Sequence, residues 1–533
     1  MLDEFGVRVG KEGFRMREQS GQSCSIWAAT TELKRESQLS HNVSADVCIV
    51  GAGIAGITTA YLLGVEGKSV VVLDQATIGG GQTARTTAHL TNAVDDRYFE
   101  IERLHGVEGA RLTAESHSAA ISRIERIVAE EQIDCDFERL DGYLFMPPGA
   151  YTDRLDREWE AARQAGLEVN RLDRAPLPLF HTGPCLRFPN QGQFQPLKYL
   201  AGLTRAIQRQ GGCIFTETRV TKIEGGANPS VETENGATVQ AASVVVATNT
   251  PINDLVAIHT KQAAYRSYVI AARIPRGSVL RALYWDTGPS NASHPVPYHY
   301  CRLLDDSDEG ELLIVGGEDH KTGQAEDEME RYSRLESWTR ERFPIKDVVS
   351  RWSGQVLEPV DGLAFIGRNP MDAPNVYVAT GDSGMGMTHG TIAGMLLTDL
   401  ILGRENPWTQ LYEPSRKTLR AAWNFMSENL NVAAQYGDWV TGSDVSSLDQ
   451  IEKDSGAIVR DGLAKLAVYR DPNGTLHQLS ATCPHLGCVV EWNDAENTWD
   501  CPCHGSRFDC FGHVLNGPAT KDLVATAKGH VLV

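Results

Sequence analysis

The stretch VCIVGAGIAGITTAYLLGVEGKSVVVLDQ (47–75) restricts the fold more than any other part of the chain. A short apolar strand runs into a glycine turn, an amphipathic helix follows, and a second apolar strand, VVVLD, closes the unit. Strands joined in this way lie parallel, because parallel partners need a crossover and cannot be linked by a hairpin. Gly51, Gly53 and Gly56 fit G-x-G-x-x-G, and Asp74 ends the second strand about 20 residues on, the spacing of a dinucleotide fingerprint. Gly51 permits the tight turn. Gly53 lets the backbone approach a pyrophosphate, and Gly56 allows close packing of helix on sheet. The helix start, at Ile54 and Ala55, offers N–H groups and the positive end of the helix dipole to phosphates. Asp74, with Gln75 beside it, is placed to accept bonds from an adenosine ribose. The plain alternative is a glycine-rich turn with no ligand.

Later stretches extend this unit into a large α/β domain. SAAISRIERIVAEEQI (118–133) and YLAGLTRAIQRQGG (199–212) have helical periodicity, and ASVVVATNT (242–250) reads as a buried strand. The run from PIKDVVSRWSGQ (344–355) to VYVATGDSGMGMTHGTIAGMLLTDLILG (376–403) reads as strand, loop, then helix. The expected organisation is a polar arm at 1–44, a Rossmann-like α/β domain with a mixed-sheet substrate domain at 45–415, and a connecting segment at 416–440. RAAWNFMSENLNVAAQYGDWV (420–440) supplies an amphipathic connecting helix. From 441 to 533 the strands shorten and turn signals multiply, with DPNG as a strong hairpin turn and ATAKGHVLV as a closing strand. That pattern predicts a small all-β domain.

The small domain carries CPHLGC (483–488) and CPCHGSRFDCFG (501–512), which hold five of the chain's 11 cysteines. The spacing is Cys483-x-His485-x2-Cys488, then Cys501-x-Cys503-His504. Zinc takes any four such ligands, but these loops offer more candidates than one zinc ion needs. A plain disulfide cluster leaves both histidines unexplained. The other cysteines (Cys24, Cys48, Cys135, Cys185, Cys213, Cys301) are scattered and read as reduced structural thiols of a cytoplasmic protein.

A formal net charge of -19 argues against nucleic acid as a partner, since a polyanion would be repelled. The chain has no apolar run long enough for an integral membrane segment, and MLDEFGVRVGKEGFRMREQS lacks the apolar centre of a signal peptide.

The fingerprint alone does not decide between FAD and NAD. Four stretches taken together do: GAGIAGITTAYLL, GGGQTARTTAHLT (79–91), EPVDGLAFIG (358–367) and VYVATGDSGMGMTHGTIAG (376–394). As a set they resemble the D-amino-acid-oxidase-like (DAO) flavoprotein superfamily, which includes glycine oxidase and sarcosine oxidase. The resemblance covers residues 45–415 and implies FAD. It places Thr83, Arg85, Thr86 and Thr87 near the pyrophosphate and flavin, and Val220 against the adenine. Gly384, Met385, Gly386, Met387 and Thr388 would line the isoalloxazine. It raises His89 as a covalent flavin attachment point, against the plainer reading of a polar helix residue. The implied reaction is oxidation of a C–N bond in an amine or amino acid, with hydride passing to flavin N5 and the imine hydrolysing. The flavin does the chemistry, so no essential base need exist. Candidates to face the substrate are Tyr268, Arg302, His320, Lys321 and Gln355. Arg302 could clamp a carboxylate bidentately, and for each the alternative is a surface charge or sheet-edge contact.

The two cysteine–histidine loops resemble the Rieske [2Fe–2S] domain over residues 441–533. By that resemblance, Cys483 and Cys501 hold one iron, and the imidazoles of His485 and His504 hold the other. Cys488 and Cys503 would form a disulfide tying the loops, as in Rieske proteins of the cytochrome bc type. Ser506 would bond a cluster sulfide, while Phe508 offers no hydroxyl to a ligand sulfur. Gly517 and Pro518 would belong to a loop covering the cluster, and Cys510 to the packing. As a whole the chain resembles bacterial FAD-dependent oxidoreductases with a C-terminal Rieske domain. Joined, the two parts imply a flavin dehydrogenase that passes electrons through the cluster to a quinone, a carrier protein or another acceptor. The alternative is an electron-transfer or redox-sensing protein that exchanges electrons with protein partners alone. Flavin-dependent RNA modification is disfavoured by the acidic balance.

Overall fold

The computed structural model describes residues 21–526 except 32, 147–152, 254–257, 289–297, 307–309, 371–372 and 441. The first 20 residues of the polar arm and most of ATAKGHVLV lie outside the described residues.

The fingerprint strand Val43–Val50 sits inside a parallel sheet, with Val70–Leu73 on one side and Thr238–Val246 on the other. Cys213–Phe215 and Val376–Thr380 extend the sheet outward, and Phe365–Arg368 adds an antiparallel edge. The strand order reverses beside Val43–Val50, so a crevice opens beyond its carboxyl end, where Gly51 turns the chain. Both faces are covered. Cys48, Ile49, Val72, Leu73 and Val244 are all buried, which is why these strands read as unbroken apolar runs.

Two helices start at this crevice. Ile54–Val65 follows the glycine turn, and Gly386–Ile401 packs beside it. Their approach is set by Gly390 and Gly394. A Cβ at Gly390 would meet the Ile54 side chain, and one at Gly394 would meet Thr58. The long helix Tyr98–Glu130 begins well before the periodic stretch at 118–133 and bends at Gly106, where φ is 77°. Its first turns look polar in sequence, but they bury Tyr98, Ile101 and Leu104.

The second sheet is largely antiparallel. At its centre Gln262–Ile274 pairs with Gly310–Lys321 and with Val348–Pro359. His299–Asp306 follows outside Gly310–Lys321. One face of this sheet roofs the crevice.

The C-terminal part has two small antiparallel sheets among its described residues. One is Ser455–Asp461, Ala464–Arg470 and Leu476–Ser480; the other is Glu491–Asn493, Thr498–Asp500, Arg507–Asp509 and Val514–Asn516. Its core gathers Ile458, Ala467, Val490, Trp499 and Phe508 around the cysteine loops. The connecting helix Ala422–Gln435 buries none of its residues; Leu419, Trp423, Met426 and Leu430 point outward. Among the described residues, no helix is long and apolar enough to cross a membrane.

The two parts are joined by a buried ionic contact. Glu496 leaves the turn between Glu491–Asn493 and Thr498–Asp500 and ends, with no exposed side-chain area, 3.3 Å from Arg266 and 3.5 Å from Arg85. Ser23 and Ser353 donate hydroxyl hydrogen bonds to the same carboxylate.

Candidate functional site

A cavity of about 670 Å³ fills the crevice. Gly51, Gly53, Ile54, Ala55, Asp74, Gln75, Thr83, Arg85, Thr86, Thr87 and Val220 all border it. Gly51 adopts φ 107°, and a Cβ there would strike the carbonyl of Ala247. Gly56 does not border the cavity. A Cβ on it would strike the Gly51 carbonyl, so Gly56 shapes the turn from behind. Gly53 is the helix N-cap and contributes no capping side chain. The Asp74 carboxylate accepts the amides of Ala52 (2.7 Å) and Ala76 (2.9 Å), and burial raises its affinity for a proton. The Thr83 hydroxyl accepts the Ile54 amide at 3.1 Å. An elongated crevice with a side-chain-free cradle at a helix start and an acid at the second strand end fits a dinucleotide.

Arg85 borders the cavity, but its guanidinium turns to the contact between the two parts, donating to Ser23 and to the Ser353 carbonyl. His89 lies in the short strand His89–Leu90, not in a helix, and its Nδ1 meets the Thr87 hydroxyl at 3.0 Å.

At the other end, Gly384, Met385, Gly386 and Met387 line the cavity together with His389 and Gly390. Thr388 turns away, buried against Nδ1 of His117 at 3.0 Å. Five carboxyl groups border this end: Asp95, Asp96, Asp319, Glu358 and Asp382. Asp95 accepts from the Tyr298 hydroxyl at 2.9 Å. Ser383 donates to Asp96 at 2.7 Å and reaches Glu358 at 3.1 Å. Burial raises Asp319 to about 7 and Asp382 to about 6. Burial and mutual repulsion raise Asp96 and Glu358 as well. Tyr265, Trp285, Tyr298 and Tyr300 supply aromatic walls, and Arg97, Arg154 and Arg157 also line the cavity.

Four of the five substrate-facing expectations are corrected here. Strand alternation is the reason for two. Ser267 and Asp319 face the cavity, so Tyr268 and His320, their neighbours in sequence, point to the opposite face, where the Tyr268 hydroxyl meets His320 Nε2 at 3.0 Å. Arg302 shares a strand face with cavity-lining Tyr300 but sits one step further along. It donates to the carbonyls of Ala88 (2.7 Å) and Phe194 (3.0 Å) and is buried over the Trp27 ring, so it braces backbone and clamps no substrate. Lys321 pairs with Glu428 of the connecting helix at 2.7 Å. Gln355 does border the cavity, while its side-chain amide donates to the Gly505 carbonyl at 2.8 Å.

The two cysteine–histidine loops are built alike. Gly487 N–H returns to the Cys483 carbonyl (2.9 Å), and Gly505 N–H returns to the Cys501 carbonyl (3.0 Å). Both glycines have positive φ, 82° and 74°. Cys488 and Cys503 are joined in a disulfide with their Cα atoms 6.4 Å apart. The sulfurs of Cys488, Cys501 and Cys503 lie within 4.8 Å of one another, but two of them are bonded together, leaving Cys501 as the thiol that can take a metal. Cys483 and Cys501 lie within hydrogen-bond reach of each other. The rings of His485 and His504 meet edge-on at 5.0 Å. His504 Nδ1 is buried and makes no hydrogen bond. Two thiols, two converging imidazoles and an orphaned ring nitrogen fit a mixed sulfur–nitrogen metal cluster. Ser506, fully buried, accepts the Ala519 amide at 3.0 Å and lies within reach of Cys483. Phe508 is fully buried and Cys510 half-buried.

Sequence reasoning missed the wall that the C-terminal part gives to the crevice. Val514, Leu515, Asn516, Gly517, Ala519 and Thr520 border the cavity. Gln75 donates to the Leu515 carbonyl (3.3 Å), and Arg219 reaches the Thr520 carbonyl (2.7 Å) and Asp522 (3.3 Å). The carboxylate group and Glu496 were also missed. No short spacing marks residues that converge from distant strands.

A dinucleotide crevice under an antiparallel roof, closed by a β domain with a two-loop metal site, defines an oxidoreductase with two redox groups. The family model described as FAD dependent oxidoreductase (DAO) matches residues 46–400, and that described as Rieske [2Fe-2S] domain matches 439–527. The chain belongs to the DAO family of FAD-dependent oxidoreductases and carries a C-terminal Rieske domain; it binds FAD and a [2Fe–2S] cluster. It is 34% identical to YhfW of Bacillus subtilis (strain 168), named as a Rieske 2Fe-2S iron-sulfur protein, over 94% of this chain and 96% of the relative. It is 28% identical to gamma-glutamylputrescine oxidoreductase of Escherichia coli (strain K12), over 68% of this chain and 85% of that protein. The fold is shared with glycine oxidase from Geobacillus kaustophilus: TM-score 0.58 at 18% identity, covering 70% of this chain and 100% of that one.

Proposed function

We propose that the chain oxidises the C–N bond of an amine or amino acid in the cytoplasm and passes the electrons from FAD through the cluster to an external acceptor, a quinone or a carrier protein. When bound, FAD supplies two-electron acceptance and the [2Fe–2S] cluster supplies one-electron relay. The observation that carries the substrate reading is the group of five carboxyl residues at the Gly384–Met387 end of the cavity. Burial and mutual repulsion hold these carboxyls above their ordinary range even with Arg97 nearby, and a cationic ammonium entering among them would favour their ionised form. The relationship to gamma-glutamylputrescine oxidoreductase supports the same reaction class.

In this reading Gly51, Gly53, Ile54, Ala55 and Thr83 hold the pyrophosphate, Asp74 and Gln75 the ribose, and Val220 the adenine. Gly384 to Met387 bring backbone to the flavin ring. Asp95, Asp96, Asp319 and Glu358 orient the amine, and the aromatic walls exclude water. Cys483, Cys501, His485 and His504 hold the cluster, and the Cys488–Cys503 disulfide keeps their two loops at a fixed separation.

The test is anaerobic addition of a panel of amines and amino acids to the loaded protein, followed by visible and EPR spectra. Bleaching of the flavin followed by a reduced Rieske signal is expected with a cationic amine. Bleaching only with a reduced carrier protein would instead make the chain an electron-transfer module.

A further inference from the structure

The histidine side of the cluster loops is seated on the flavin-binding part of the chain. His259, on the turn entering Gln262–Ile274, is 3% exposed. Its ring stands edge-on to His485 at 5.1 Å and to His504 at 6.2 Å. Beside it, the Gln355 amide donates at 2.8 Å to the carbonyl of Gly505, the residue after His504. Gln355 is 2% exposed and borders the nucleotide cavity. One side chain therefore touches both the flavin cavity and a cluster loop. The fit leaves no slack, because a Cβ on Gly505 would strike the Ala264 methyl and the Gln355 amide nitrogen. Glu496, buried between Arg85 and Arg266, fixes the same domain face a few strands away.

We propose that His259 and Gln355 are positioning residues that hold the imidazole edge of the cluster against the flavin cavity and so set the rate at which FAD fills the cluster. This rests on the reading of FAD as the donor to the cluster. Oxidation of an amine to an imine releases two electrons and two protons. The cluster holds one electron, so each turnover fills it twice. A one-electron acceptor outside the chain must empty it twice, and the protons leave to water. Electron tunnelling falls steeply with distance, so two buried side chains packed against the cluster loops control the rate by positioning alone.

The test uses the full chain with both groups loaded. Flash illumination with EDTA reduces bound FAD and needs no substrate. The reduced-cluster signal is then followed by rapid-freeze EPR, with iron and FAD content measured in parallel. In the unaltered protein the cluster signal should grow as the flavin reoxidises. His259→Ala and Gln355→Ala should slow that growth at least tenfold at unchanged iron and FAD, and His259→Ala should shift the EPR g-values. His259→Phe, which keeps a ring against the imidazoles, should recover most of the rate. Unaltered growth in both alanine variants, with clusters intact, overturns the proposal. Should an alanine variant lose iron, Gln355→Met and His259→Phe decide: a slow Met variant beside a fast Phe variant supports the seat, and the reverse overturns it. Absence of cluster filling in the unaltered protein overturns FAD as the donor and the seat with it. That outcome is told apart because it needs no substitution.

Discussion

Glu496 carries one negative charge into a fully buried site, and two arginines from the other part of the chain meet it there. Those arginines hold its carboxyl down to about 2 against the cost of burial. A free glutamate titrates near 4.3, so the folded state favours the ionised form. The stability this contributes is complete above about pH 4.3 and is lost as the pH falls toward about 2. Glu496→Gln removes the charge and strands the arginines, which costs about 3–5 kcal/mol for a buried pair. The thermal midpoint at pH 7 should fall, and the variant should lose less of its remaining stability between pH 4 and pH 2 than the unaltered protein, as read by calorimetry across that range. The cavity acids run the other way. Asp319, raised to about 7, is largely protonated below that pH and ionised above it. Binding of a cationic amine should therefore tighten as the pH rises through 7, and Asp319→Asn should weaken it about tenfold at pH 8, about 1.4 kcal/mol. Titration of the flavin absorbance with a chosen amine at several pH values measures this. None of these residues announces itself in sequence. Glu496 sits in WNDAENTWD, which reads as a turn, and its partners lie at 85 and 266. The cluster loops were legible for the opposite reason: the first packs its thiols and imidazole into six neighbouring residues, 483–488, and the second into four, 501–504.

Elements were legible where one periodicity ruled, and faces were not. The fingerprint unit and the helix after VYVATGDSGMG could be placed because apolar runs and glycine turns are local signals, whereas the strand expected at 242–250 runs four residues earlier, over Thr238–Val246. Tyr268 and His320 were assigned to the wrong face because alternation along Gln262–Ile274 and Gly310–Lys321 fixes two faces without saying which one looks into a cavity, and both faces of this sheet are buried. The pairing of Ile54–Val65 with Gly386–Ile401 gives an element-scale prediction. These helices both begin at the cavity, and Gly394 meets Thr58 with no room for a side chain. Gly394→Val must part them, an overpacking cost of about 1–3 kcal/mol. The displacement carries the Gly384–Met387 backbone away from the glycine cradle. FAD retained after gel filtration should drop several-fold, while the Rieske EPR signal, built 90 residues further along on its own core, stays unchanged.

At the scale of the molecule, the small β domain also walls the crevice proposed to hold FAD. Residues 514–517, 519 and 520 wall the end of the cavity where Gln75, Arg219 and Val220 lie, and they follow directly from the loop that carries Cys501 and His504. Ser506 ties the two, accepting the Ala519 amide at 3.0 Å from within the cluster loop. Order in the metal site should therefore be transmitted to the nucleotide site through one short peptide. Cys483→Ser removes a proposed ligand on the other loop, far in sequence from 514–520, and leaves every lining residue in place. The expected outcome is loss of the Rieske signal together with FAD release several-fold faster than from the unaltered protein, followed by the rise in free-flavin fluorescence. Arg219→Ala, which cuts the tie to Thr520 and Asp522 but keeps the cluster, should speed release by a smaller factor, since a partly exposed ion pair contributes about 0–1 kcal/mol. If FAD leaves the cluster-free variant at the unaltered rate, the wall folds without the metal, and the two redox sites are neighbours without being coupled. If release accelerates in both, the wall at the C-terminal part carries the coupling, and a chain that loses its cluster also holds its FAD less tightly.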